Sequence, residues 1–120
     1  MVTKPIMNNN KDTIYALSTP PGKSAIAVVR ISGNNAFKII EKMSTSMPTT
    51  PNIARLNKIV DDYNNVIDQT ITTYFKKPRS FTGEDMVEIS LHGGAAVIKL
   101  FIETLKKNKN TRLAEPGEFT

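Results

Sequence analysis

Apolar and polar positions divide the chain into eight short elements joined by polar segments. Runs that are apolar or alternate with period two predict strands, and apolar residues spaced i, i+3, i+4 and i+7 predict helices. The predicted strands span 13–17, 25–31, 54–60, 66–75, 86–91 and 112–114, and the predicted helices span about 36–43 and 95–107. This β-β-α-β-β-β-α-β order indicates an α+β fold, in which two or three helices back one face of a mixed sheet.

Polar segments rich in proline, aspartate and asparagine separate these elements. Paired prolines exclude a helix or a central strand at 18–24, so that segment is predicted to be a loop. The sequence DDYNN at 61–65 predicts a hairpin turn. Further surface connections are expected at 44–52 and 76–83. We expect a flexible tail at 1–11 and one domain at 12–120.

Composition supports a single folded domain and excludes several kinds of site. The chain has 120 residues, of which 39% are hydrophobic, and this is enough for a packed core. The absence of cysteine excludes disulfides, thiolate zinc sites and cysteine nucleophiles. No apolar run approaches the roughly 18 residues that a membrane helix needs, and no segment has the pattern of a secretory signal. We therefore expect a cytoplasmic protein without a membrane partner.

The net charge of +5 permits acidic partners such as nucleic acid or an anionic cofactor. On the second predicted helix, Glu103 is spaced to pair with both Lys99 and Lys107. The pattern therefore predicts a solvated helix face whose cations favour the helix C-terminus, with nucleic-acid binding as the alternative. The densest basic patch comprises Lys99, Lys106, Lys107, Lys109 and Arg112.

The most informative stretch is TGEDMVEISLHGG at 82–94, which predicts a turn, a half-buried strand and a glycine-hinged helix start. Alternation puts Glu88 on one face of its strand and an all-apolar set on the other. A charge among apolar neighbours is costly unless it is paired. Arg30 is the best candidate partner, because it also lies opposite the all-apolar face of its own strand, at 25–31.

If the all-apolar faces of both strands pack on the helices, Arg30 and Glu88 meet on the other side of the sheet. A carboxylate can accept two parallel N–H bonds from an aminopyrimidinone edge such as that of a pterin. A guanidinium can bind a carbonyl or a carboxylate in the same forked manner. The alternative is a purely structural ion pair. A sheet face without helices can also form a subunit interface.

Other candidate motifs are weaker, and they predict neither a catalytic residue nor a metal site. The sequence GKS at 22–24 resembles the end of a phosphate-binding loop, but Leu17 stands where the first glycine is required. His92 precedes two glycines at a helix start, which can bind an anion or simply permit a strand-to-helix bend. Glu84 and Asp85 are predicted to be turn or capping residues rather than acid–base groups or metal ligands.

Three segments carry a family resemblance when they are taken in order and at their spacing. They are TIYALSTPPGKSAIAVVRISG, VIDQTITTYFKKPRSFTGEDMVEISLHGG and AEPGEFT. Together they closely resemble the amino-terminal domain of the MnmE family of tRNA modification GTPases, also called TrmE. The resemblance covers nearly the whole chain, although Lys23 and Ser24 replace the usual glycine-rich pair after PPG.

The resemblance implies an α+β domain related to the tetrahydrofolate-binding domains of aminomethyltransferases. In the family this domain binds 5-formyltetrahydrofolate and forms a homodimer, with the folate sites near the dimer interface. The family arginine falls on Arg30 and the family glutamate on Glu88, which implies that Glu88 holds the pterin ring and Arg30 orients the folate. A third family contact, a lysine a little beyond the PGEF motif, would fall after Thr120.

For the whole protein, the resemblance implies a GTP hydrolase that uses magnesium and potassium. With the flavoprotein MnmG, also called GidA, it would install the carboxymethylaminomethyl group at carbon 5 of the wobble uridine in certain tRNAs. This chain lacks a true phosphate-binding loop, so we expect no GTP hydrolysis from it alone. Two other interpretations stay open, namely a dimerisation module without folate binding and a basic nucleic-acid-binding domain.

Overall fold

A six-stranded mixed sheet forms the centre of the computed structural model, which describes residues 12–18, 26–77, 84–92 and 94–119. The strands are β1 (Thr13–Ser18), β2 (Ile26–Ser32), β3 (Arg55–Val60), β4 (Val66–Phe75), β5 (Met86–His92) and β6 (Thr111–Leu113). The helices of the described ranges are α1 (Ala36–Lys42) and α2 (Ala95–Leu105). The sheet order is β3-β4-β5-β2-β1-β6, in which only β1 and β6 pair in parallel. The predicted α+β fold and its element order are confirmed.

The hydrophobic core lies between the helices and one face of the sheet. Alternation along β2 and β5 turns their all-apolar sides inward, and Val29 and Ile89 are fully buried there. Ile40 of α1 and Phe101 and Leu105 of α2 belong to the same buried cluster. The expectation that both all-apolar strand faces pack on the helices is therefore confirmed.

Polar side chains buried near the edge strand β3 are hydrogen-bonded to one another. The Asn57 side chain donates to the hydroxyls of Ser44 at 2.9 Å and Thr72 at 3.3 Å, and its oxygen accepts the Ser46 N–H at 2.9 Å. The Thr70 hydroxyl donates to the Asn57 carbonyl at 2.8 Å. Because these groups are paired, their burial carries little penalty, and they fasten the connection after α1 to the sheet.

The turn that ends β2 requires glycine. Gly33 has a φ of +146°, and a Cβ there would lie 3.0 Å from the Asp12 carbonyl oxygen and 3.1 Å from the Cα of Thr13. The Gly33 N–H donates to the Asp85 carbonyl at 2.9 Å. This turn therefore holds the end of β2 against the starts of β1 and β5.

The sheet face away from the helices, called the open face below, is closed at one end and exposed at the other. The strand register groups its side chains into an inner row (Ile14, Ser32, Met86, Phe75), a middle row (Ala16, Arg30, Glu88, Thr73) and an outer row (Ser18, Val28, Ser90, Ile71, Leu56). Ile14, Ser32 and Met86 of the inner row are buried, whereas Ile71 and Leu56 of the outer row are 38% and 63% exposed.

Some element boundaries differ from prediction by one or two residues. The helix α2 ends at Leu105, because the next turn is tighter and the Lys107 N–H donates to the Thr104 carbonyl at 3.2 Å. The strand β6 spans Thr111–Leu113 because its parallel pairing begins opposite Thr13. The hairpin turn and the long strand after it lie where they were predicted.

Some predicted segments lie outside the described residues. The tail at 1–11 does so entirely, and the loop at 18–24 and the connection at 76–83 do so for the most part. The domain boundary at residue 12 therefore stays a prediction. Neither helix of the described ranges is long and apolar enough to cross a membrane.

Neighbouring residues on α2 provide a matched test of the core. Phe101 is fully buried, whereas Leu100 is 42% exposed. We expect Phe101→Ala to lower the free energy of unfolding by about 3–5 kcal/mol, because it removes packed apolar surface and leaves a cavity. Leu100→Ala should cost less than about 1 kcal/mol. Urea unfolding followed by circular dichroism measures both, and equal losses in the two variants would refute the assignment of the buried helix face.

Candidate ligand-binding site

Arg30 and Glu88 meet on the open face, directly opposite each other in the antiparallel register of β2 and β5. The Arg30 Nε donates to the Glu88 Oε2 at 2.9 Å. The side chains are 37% and 28% exposed, so the pair is accessible to solvent. The structure therefore confirms the predicted pairing of these residues, while their role towards a ligand stays a prediction.

The geometry of this pair leaves hydrogen-bonding capacity on the carboxylate. The two side chains contact each other through the Arg30 Nε and the Glu88 Oε2. Among the described residues, none donates a hydrogen bond to the Glu88 Oε1. Thr73 and Ser90 flank Glu88 on the same face, and Val28 lies beside Arg30. A partly buried carboxylate can accept a pair of N–H groups from a flat heterocycle.

His92 lies at the exposed end of β5, where its neighbour is Asp68 of β4. The Asp68 Oδ2 accepts the His92 backbone N–H at 2.6 Å and lies 3.5 Å from the ring nitrogen Nδ1. The imidazole is 59% exposed, whereas the Asp68 side chain is 14% exposed. His92, the residue before the predicted strand-to-helix bend, is therefore hydrogen-bonded to β4. The sequence did not indicate this contact.

Glu84 and Asp85, predicted as turn or capping residues, instead form hydrogen bonds that connect the segment before β5 to other elements. The Ser32 hydroxyl donates to Glu84 at 3.2 Å. The Asp85 carboxylate accepts the Lys77 N–H at 3.0 Å, and its carbonyl accepts the N–H of Gly33. Both residues therefore support the closed end of the open face.

A cluster around Arg112 joins distant parts of the chain, and sequence reasoning missed it. The Arg112 Nε donates to Asp12 at 2.8 Å, and its two terminal nitrogens donate to the two Glu118 oxygens at 2.9 and 2.7 Å. Hydrogen bonds to Glu118 and Asp12 raise the pKa of Arg112, and the hydrogen bond from Arg112 lowers the pKa of Glu118. We call this cluster the Arg112 clasp; it fixes the C-terminal turn beside β1.

The basic patch is arranged differently from the prediction. Lys107 pairs with Asp62 of the β3–β4 turn at 2.8 Å rather than with Glu103. The physical reason is that α2 ends at Leu105, so the helical spacing does not reach residue 107. Lys42 donates to Asn108 at 3.0 Å beside it. Lysines and aspartates both line the cavity of about 340 Å³ at this place, so its charges largely balance.

Comparison with known proteins places residues 13–120 in the family described as GTP-binding protein TrmE N-terminus. The chain is 53% identical over 111 residues to the tRNA modification GTPase mss1, mitochondrial, of Schizosaccharomyces pombe, which covers 90% of this chain and 22% of that protein. Identity to the tRNA modification GTPase MnmE of Fervidobacterium nodosum is 49% over 118 residues, or 94% and 26% of the two chains. Identity to the tRNA modification GTPase MnmE of Anaplasma marginale is 46% over 109 residues, which cover 91% of this chain and 24% of that protein. The chain spans about a quarter of the length of these curated relatives.

The Arg112 clasp predicts an acid-sensitive contribution to stability. A carboxylate with a lowered pKa stabilises the fold above the ordinary glutamate range, and this contribution disappears as the pH falls through the lowered pKa. We expect Glu118→Gln to lower the free energy of unfolding by about 1 kcal/mol at neutral pH, with the difference from the parent shrinking as the pH falls below the ordinary glutamate pKa of about 4.3. Glu103→Gln, a substitution on the exposed side of α2, should change neither the free energy of unfolding at neutral pH nor its dependence on pH. Urea unfolding across this pH range is the measurement, and a Glu118→Gln variant as stable as the parent at pH 7 would refute the prediction.

Proposed function

The chain belongs to the TrmE amino-terminal family, and from that premise we propose that its open face binds a reduced folate such as 5-formyltetrahydrofolate. One observation carries the proposal, namely a solvent-accessible carboxylate on the sheet face opposite the two described helices, which keeps one oxygen available beside a guanidinium. Structural ion pairs on a sheet do not require this arrangement. A ligand with two adjacent N–H donors can use it.

Glu88 and Arg30 have distinct roles in this proposal. The pterin end of a folate carries an amino group and a ring N–H that point the same way, and Glu88 accepts both. Arg30 holds the carboxylate in its ionised form and orientation through the Nε contact. The fully buried side chains beneath both strands give the two groups a rigid support.

Homodimerisation is the second part of the proposal. The open face exposes apolar side chains of three strands, namely Ile26, Ile71 and Leu56, which are 45%, 38% and 63% exposed. An apolar surface of this kind favours association with a second copy. It adjoins the middle row, so the proposed folate site lies close to the proposed interface.

For the longer protein, we propose the activity that the relatives' names describe. They are named tRNA modification GTPases, and this chain matches only a part of their length. In this proposal, the remaining part hydrolyses GTP with magnesium and potassium. The whole protein then acts with the flavoprotein MnmG on the wobble uridine of tRNA, and the folate supplies the one-carbon unit.

Calorimetric titration with 5-formyltetrahydrofolate tests the folate site. We expect saturable binding by the parent chain and a roughly ten- to hundredfold loss of affinity in Glu88→Gln, because the charge-assisted hydrogen bonds are lost. Arg30→Ala should weaken binding as well, since Glu88 loses its fixed orientation. Circular dichroism establishes that each variant is folded.

Matched controls are available on other elements of the chain. Arg55→Ala and Glu103→Ala remove an exposed arginine and an exposed glutamate away from the middle row, and both should bind folate as the parent does. Undiminished binding by the Arg30 and Glu88 variants would overturn the site. Absence of binding by the parent would leave the dimerisation module as the better account of this chain.

Sedimentation equilibrium tests the proposed interface. We expect the parent to be a dimer and Leu56→Lys and Ile71→Lys together to shift it to a monomer, because charges without partners are costly in an interface core. Leu113→Lys alters a residue that is 61% exposed on the edge strand β6 and should leave the dimer intact. A doubly substituted chain that stays dimeric would exclude this part of the open face as the interface.

A further inference from the structure

Thr73 of β4 lies directly opposite Glu88 on the open face. Residues directly opposite each other in an antiparallel pair have Cβ atoms about 5 Å apart. Arg30 faces Glu88 from the other neighbouring strand, β2. The middle row therefore presents a guanidinium, a carboxylate and a hydroxyl on three adjacent strands, and a ligand edge held by Glu88 lies between Arg30 and Thr73.

The Thr73 hydroxyl differs from the other threonine hydroxyls of β4. Those of Thr70 and Thr72, on the helix-covered face, are 2.9 Å apart, and both are hydrogen-bonded to Asn57. Thr73 is partly exposed, and within the described ranges no group is hydrogen-bonded to its hydroxyl. This hydroxyl is therefore available to a ligand.

The hydrogen-bonding edge of an aminopyrimidinone ring carries a carbonyl oxygen, a ring N–H and an amino group side by side. When Glu88 accepts the ring N–H and the inner amino N–H, the carbonyl oxygen lies on one side of the carboxylate and the outer amino N–H on the other. A guanidinium has only donors, whereas a hydroxyl can also accept. The amino group is therefore disfavoured beside Arg30 and accommodated beside Thr73.

We infer that the Thr73 hydroxyl accepts the outer amino N–H of the pterin, with the ring carbonyl turned towards Arg30. The inference rests on the proposed folate site, and it adds to that site a third residue and a single orientation of the ring. Charge favours the same orientation, because a guanidinium attracts the partial negative charge of a carbonyl oxygen and repels the partial positive charge of an amino group. Thr73 is therefore a specificity-determining residue for the amino group.

Substitutions at Thr73 test the hydroxyl by calorimetry. Thr73→Val keeps the shape of the side chain and suits a strand, and we expect it to bind 5-formyltetrahydrofolate about fivefold more weakly, as the loss of one neutral hydrogen bond implies. Thr73→Ser keeps the hydroxyl and should bind within about twofold of the parent. The control Thr49→Val, at an exposed position after α1, should bind as the parent does.

A neighbouring threonine separates binding from stability. Thr72→Val removes a hydroxyl of the buried hydrogen-bonded group and should unfold at a lower urea concentration than the parent. Thr73→Val should unfold at the same urea concentration as the parent, because no described residue bonds its hydroxyl.

A second ligand tests the contact at the atom that makes it. The 2-methylamino analogue of 5-formyltetrahydrofolate keeps the inner amino N–H for Glu88 and carries a methyl group in place of the outer hydrogen. We expect the parent to bind this analogue about tenfold less tightly than the folate, because the hydrogen bond is lost and the methyl group meets Thr73. Thr73→Ala removes the hydroxyl and makes room, so it should bind the two ligands within about twofold of each other.

The outcomes distinguish the two levels of the proposal. If the parent binds neither ligand, the folate site itself fails, and the Thr73 contact fails with it. If Thr73→Val binds the folate as tightly as the parent, or if Thr73→Ala weakens both ligands by the same factor, the Thr73 contact is wrong and the folate site stands. A preference for the unmodified amino group that is present in the parent and lost in Thr73→Ala establishes the contact.

Discussion

The antiparallel register of β2 with β5 is the constraint on which the rest of the structure depends. It sets Arg30 opposite Glu88 and, one residue away along each strand, buries Val29 and Ile89 under the helices. A slip of one residue would move every one of these side chains to the other face of the sheet. The Gly33 turn protects the register, because it ties the end of β2 to the start of β5 through the Asp85 carbonyl.

This register separates stability from binding. The helix-covered face holds the hydrophobic core cluster, and the open face holds the ion pair on the opposite side of the same two strands. Strands supported in this way keep a binding group in place more accurately than a loop does. On the open face, Ile14, Ser32 and Met86 of the inner row are buried, whereas Ile71 and Leu56 of the outer row are exposed.

Local patterns predicted those parts of the structure that depend on periodicity. Alternation along two strands was sufficient to place Arg30 and Glu88 on one face, because the period of a strand is fixed by its backbone. The pairing of Lys107 was predicted wrongly, since helical spacing applies only as far as Leu105. The Arg112 clasp escaped prediction because Asp12 lies 100 residues away in sequence, and only the parallel pairing of β1 with β6 brings them together.

Backbone amide chemical-shift mapping is the most direct test of the central claim that the open face is a folate site organised by β2 and β5. Titration with 5-formyltetrahydrofolate should shift the amides of 28–30 and 88–92 most strongly, while those of α1 and the C-terminal half of α2 change little. Shifts that concentrate on the helices or around the β3–β4 turn, with β2 and β5 unaffected, would contradict the account.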